Sequence, residues 1–139
     1  MTDSTAITLV RDAIHNPTEP RHFMRIATPD HEVVATLDGV ELARSRRTLK
    51  VKEVGRDIYD PVLYFPRADV NMQRLAKTAK TTHCPLKGDT AYFDGVLEAQ
   101  RVSEVAWSYE HTIAEAAALT DYVAFDTRLV RVIERTGGD

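Results

Sequence analysis

A single cysteine in 139 residues excludes an internal disulfide, and with no CxxC pair and no histidine pair at helical spacing there is no ligand set for a tight structural zinc site. Long apolar runs are missing too. The longest stretch without a charged residue runs only from Ser4 to Val10, far short of the ~20 residues a membrane-spanning helix needs. No basic segment leads into an apolar one near Met1, so no secretory leader is expected, and a reducing cytoplasm is the expected compartment. Neither sign of charge dominates. Lys plus Arg total 18 against 21 Asp plus Glu, a net charge of −3, which lacks the basic footprint of a nucleic-acid-binding protein. Partners in membrane or nucleic acid are therefore not expected, and a monomer or small homo-oligomer is. Low complexity is absent, and 43% of the residues are hydrophobic. A chain of this size buries roughly two-thirds of its unfolded surface and folds without a disulfide or metal staple.

Turn signals and short alternating runs dominate what remains. Residues 6–15 carry Ile7, Val10 and Ile14 at helical spacing and stop before Pro17, which predicts a short N-terminal helix followed by an extended connector over Pro17–Pro20. Glu32–Leu37 and Val40–Ala43 flank Asp38-Gly39, a type I′ hairpin signal. Leu49 and Val51 alternate with Lys50 and Lys52, as in a half-buried strand. Val62–Phe65 is a short apolar strand. Asp69 is placed to cap a helix over Val70–Lys77 that would bury Met72, Leu75 and Ala76. Further strands are expected at Thr90–Phe93, before an Asp94-Gly95 turn, and at Val105–Tyr109. A short helix is expected over Ile113–Leu119. Tyr122–Phe125 and Leu129–Glu134 read as a final strand pair. The sum is a mainly β fold, a barrel-like or tent-like arrangement of short antiparallel strands with two or three short helices. The expected layout is an arm over residues 1–18, one β-rich domain over 19–136 and a tail over 137–139.

The stretch Thr81–Gly88 concentrates chemistry. Cys84 is the only thiol, with His83 beside it and Lys87 three residues on. A neighbouring cation lowers a thiol's pKa and exposes the thiolate, the reactive form. Cys84 is thus a candidate nucleophile with His83 or Lys87 as activator, or a small buried residue before a proline-set turn. Neighbours on an extended chain point to opposite faces, so His83 need not meet Cys84. Lys87-Gly88 lacks the remainder of a phosphate-binding loop, although Lys87 alone can hold an anion. Trp107 and Tyr109 share a strand face, which suits either a core or a wall for a planar ligand, and Tyr64 and Tyr92 read the same way. Glu53, if turned inward, needs a partner, for which Arg47 and Lys87 are the candidates. Arg44 and Arg46 read as a solvated strand edge.

Taken together these stretches resemble a known family. Ala43–Leu49 running to Glu53, Tyr64–Val70, Thr82–Tyr92, Ala106–Glu110 and Tyr122–Phe125 occur in the order seen in the bacterial domain-of-unknown-function family numbered 427, which also carries a nucleotidyltransferase label. The resemblance spans roughly residues 15 to 134. His111-Thr112 stands where the family usually has a proline, and Asp126 where it usually has an aromatic residue. The resemblance implies a folded tent of sheets similar to the Mss-four-like group, without the zinc that some of that group hold on CxxC pairs. Nucleotidyl transfer would need several carboxylates around Mg²⁺, and Asp69 and Asp89 stand alone. No cofactor is indicated. The resemblance also implies that Arg47, Glu53, Tyr64, Cys84, Lys87, Trp107 and Tyr109 converge. Three functions follow as expectations: binding of a nucleotide or other small anionic metabolite, an enzyme using Cys84 or Lys87 and Glu53, or a structural or interaction module.

Overall fold

Two-residue periodicity governs the chain almost throughout, and the backbone answers with eleven strands among the described residues. The computed structural model describes residues 11–136. The strands are β1 (Ile14–Asn16), β2 (Glu19–Ala27), β3 (Glu32–Leu37), β4 (Val40–Ser45), β5 (Leu49–Val54) and β6 (Val62–Tyr64), followed by β7 (Leu75–Cys84), β8 (Gly88–Val96), β9 (Arg101–Thr112), β10 (Val123–Phe125) and β11 (Arg131–Arg135). They form three antiparallel sheets, ordered β1-β2-β5-β6, β10-β9-β8-β7 and β11-β3-β4. The fold is mainly β, as expected, and the helical segments among the described residues are short 3₁₀ turns at Arg67–Asp69, Met72–Arg74 and Ala114–Leu119.

The sheets are stitched together rather than closed into one barrel. Phe65 and Val123 exchange backbone hydrogen bonds of 2.7 and 2.8 Å, which sets β6 beside β10 and joins the first two sheets edge to edge. The third sheet is tied in by a bridge between Ala43 and Val70 and by the Asn71 N–H donating to the Leu42 carbonyl at 2.8 Å. Two apolar clusters lie between these layers. One gathers Val33, Leu42, Phe65, Phe93, Val105, Val123 and Phe125. The other gathers Met24, Val51, Tyr64, Leu86, Tyr109 and Leu119. In the first, Phe65 and Phe125 meet edge to face with centroids 5.4 Å apart, a favoured aromatic geometry.

Several local expectations are corrected. The proposed helix over residues 6–15 lies outside the described residues up to Val10. From there Arg11-Asp12 form a turn, and Ile14–Asn16 pair with β2. Pro17-Thr18 is a hairpin turn rather than an extended connector. Val70–Lys77 is not a helix. Met72–Arg74 makes one 3₁₀ turn, and Leu75 opens a strand whose backbone groups are satisfied by β8. Asp69 caps nothing; its carboxylate accepts from Ser45 Oγ at 2.6 Å and Arg47 Nη2 at 3.0 Å. Asp94-Gly95 is a bulge inside β8, with Asp94 accepting from the Glu104 N–H and from Arg101 Nε, both at 2.9 Å. The last two strands do not pair with each other: β10 pairs with β9 and β11 with β3.

Candidate functional site

Alternation on three strands and one tight turn bring the central side chains together. On β5, Leu49, Val51 and Glu53 share the inward face, and on β9 Trp107 and Tyr109 do. Tyr64, on β6, pairs directly with Leu49 of β5. The turn Cys84-Pro85-Leu86-Lys87 links β7 to β8, closed by the Lys87 N–H donating to the Cys84 carbonyl at 3.1 Å. It drives Leu86 fully into the core and turns the Lys87 side chain inward, leaving that residue 5% exposed. Gly88 makes this possible. Its φ is +130°, and a Cβ there would meet the His111 carbonyl oxygen at 2.2 Å, so only glycine lets β8 run this close to β9.

These elements enclose an open cleft of about 500 Å³ lined by Glu53, Tyr59, Val62, Tyr64, Cys84, Lys87, Tyr92, Glu104, Trp107, Tyr109, Asp126 and Arg128. Lys87 Nζ donates to Glu53 Oε1 and lies 5.7 Å from the Tyr109 ring centroid, within cation–π range. Glu53 Oε2 is 2.8 Å from His22 Nε2. Behind His22, Asn16 Oδ1 accepts from both the N–H and the hydroxyl of Thr18, each at 3.0 Å. The Asn16 amide must therefore turn its NH₂ toward His22 Nδ1, 3.2 Å away. That nitrogen accepts, so the ring proton sits on Nε2 and is donated to Glu53. A continuous chain runs Thr18–Asn16–His22–Glu53–Lys87.

Burial alone would push the Glu53 carboxyl up, but the Lys87 charge and the hydrogen bonds from Lys87 and His22 outweigh it and hold the group below its ordinary value. Burial raises the Tyr64 and Tyr109 phenols above their ordinary range, so both remain protonated donors at neutral pH. Trp107 Nε1 donates to the Tyr64 oxygen at 3.3 Å. The remaining charges lining the cleft are also matched. Arg128 pairs with Asp126 at 2.8 Å, and Glu104 with Lys80 at 3.0 Å. Lys80 in turn covers the Tyr92 ring at 4.5 Å.

Of the residues singled out in the sequence, Glu53, Tyr64, Cys84, Lys87, Tyr92, Trp107 and Tyr109 line this cleft. Arg47 does not; it is held on the outside by Asp69, and Lys87 alone of the two candidates pairs with Glu53. His83 points to solvent and pairs with Asp89 at 2.8 Å, on the strand face opposite Cys84. Glu110 also faces away, toward Arg67 at 3.1 Å and Lys77 at 2.6 Å. Asp69 and Asp89 have separate partners, Ser45 and Arg47 for the first and His83 for the second. Sequence reading missed His22, whose signal was present in the alternation of His22, Met24 and Ile26 against Arg21 and Arg25, but was hidden by the proline-bounded start of β2. His22 and Tyr59 also border a second hollow of about 640 Å³, lined otherwise by Glu19, Arg21, Gly55, Arg56 and Pro85.

No helix among the described residues is long and apolar enough to cross a membrane. A search of curated proteins found no match. A family model described as a domain of unknown function, DUF427, matches residues 25–136, which include every residue of the cleft but not the His22 and Asn16 end of the chain behind it. The protein belongs to that family, DUF427.

Proposed function

We infer that the central cleft binds a small molecule with a planar ring, held against Trp107 and Tyr59 and oriented by the Lys87–Glu53 pair. One observation supports this above the others: a nearly buried lysine–carboxylate pair, braced by His22 and Asn16, is kept at the floor of an open, aromatic-walled cleft. A buried ion pair costs desolvation energy that an apolar pair avoids, so a purely structural role gives it no advantage there. Aromatic walls around a few convergent polar groups are the usual make-up of a ligand site. The nucleotide expected from the sequence fits through its base. Its phosphates would find no unpaired cation among the described residues lining the cleft, since Lys87 and Arg128 each hold a carboxylate.

A thermal-shift panel of nucleosides, nucleotides and aromatic metabolites tests the reading. A ligand at 100 times its Kd adds about 2.7 kcal/mol, a shift of several degrees for this chain. The shift should vanish in Tyr59→Ala and Trp107→Leu and persist in Arg46→Ala, a change on the exposed face. Hits indifferent to the two aromatic variants, or silence across the panel, would count against the cleft.

A further inference from the structure

We propose that the ligand presents an amide-like edge, with a hydrogen-bond acceptor beside a donor as in a carboxamide, a lactam or a nucleobase, and that Lys87 and Glu53 read that edge together. This rests on the reading of the cleft as a ligand site and names the class of ligand it would take.

Lys87 and Glu53 hold hydrogen-bonding capacity that their present partners do not use. An ammonium has three N–H donors. On Lys87 one goes to Glu53 and the Tyr109 face lies beside another, which leaves a donor for the cleft. A carboxylate has acceptor capacity on both oxygens beyond a single bond each. On Glu53 one bond per oxygen is taken, by Lys87 and by His22. The Asn16 NH₂ directed at Nδ1 keeps the His22 proton on Nε2, facing Glu53. A free donor and a free acceptor therefore stand side by side on the cleft floor.

Charge sharpens the selection. The pair is neutral as a unit, and Arg128 and Lys80 are matched by Asp126 and Glu104. A ligand carboxylate approaching Lys87 also meets Glu53, and a ligand ammonium approaching Glu53 meets Lys87. A neutral edge offering both an acceptor and a donor satisfies the two at once. A ring bearing only an acceptor leaves Glu53 desolvated without a partner, which is costly.

Benzamide, benzoate and acetophenone share one ring and differ only at that edge. Each is titrated into the full chain, with Trp107, the single tryptophan, as the fluorescence reporter. Benzamide should bind at least about tenfold more tightly than the other two, the ratio expected when a charged group gains or loses a hydrogen bond. In Glu53→Gln the lysine charge is unmatched, and the preference should swing to benzoate. Equal binding of all three, or a wild-type preference for benzoate, overturns the proposal and leaves the cleft as a ligand site. If none of the three perturbs Trp107, the proposal and the ligand-site reading fall together. The wild-type ranking is decisive even if Glu53→Gln does not fold.

Discussion

Lys87→Met removes one half of the buried pair and leaves the Glu53 carboxylate with His22 alone. Removing one partner of such a pair costs about 3 kcal/mol, whereas replacing both by apolar residues is close to neutral. Lys87→Met should therefore unfold at clearly lower urea than wild type, and adding Glu53→Met should recover most of the loss. Two losses that simply add would mean that the pair is not coupled. The pH profile follows from the same side chains. Glu53 sits below its ordinary value of 4.5; a carboxyl depressed in the folded state contributes stability above its unfolded value and loses it as pH falls through the folded one. Tyr64 and Tyr109 are raised above 10.0, so their contribution is complete below pH 10 and lost as pH rises beyond it. Stability measured by denaturation across pH should decline at both ends, and Tyr109→Phe should flatten the alkaline limb only. At this scale the sequence was readable where side chains alternate: Glu53 with Val51, and Trp107 with Tyr109. It was not readable where a partner is distant in the chain. Asp69 lies 22 positions from Arg47 and holds it outside the cleft, and nothing local to Arg47 announces that.

Two glycines separate conformational strain from steric exclusion at the level of the turn. Gly39 sits in the β3–β4 hairpin at φ +79° with open space around its missing side chain, whereas Gly88 combines φ +130° with the His111 carbonyl in the way. Gly39→Ala should cost about 1 kcal/mol, the strain of a left-handed residue. Gly88→Ala should cost about 3 kcal/mol or more, because the β8–β9 ladder must also shift. Equal losses in a denaturant titration would contradict the distinction. The Asp38-Gly39 hairpin was legible because its turn chemistry is local. The segment Val70–Lys77 was not. Met72, Leu75 and Ala76 fit a helical stripe, yet Leu75 and Lys77 pair with Gly95 and Phe93. Hydrogen bonds supplied by a strand some twenty residues away overrode the local pattern.

The molecule as a whole depends on the seam where Phe65 meets Val123. That two-bond bridge joins two four-stranded sheets and sets Tyr64 toward one apolar cluster and Phe65 toward the other. Phe65→Ala should cost about 4 kcal/mol and speed amide hydrogen exchange at Val123, which donates across the seam. Unchanged exchange there would show that the sheets hold together without it. The fold class was visible from many short runs punctuated by turns, but the partners of those runs were not. The pairing of β11 with β3 and of β10 with β9 closes loops across the chain that no local period encodes. The seam also positions the cleft, because Tyr64 and Val62 reach Trp107 only when β6 lies beside β10.

Soaking crystals of the protein with a mixed set of small planar heterocycles shows whether the cleft takes a ring. Density is expected for a ring against Trp107, with its polar edge within hydrogen-bond distance of Lys87 Nζ and Glu53. Fragments gathering only in the outer hollow beside His22 and Arg56, with the space over Lys87 left to solvent, would contradict it.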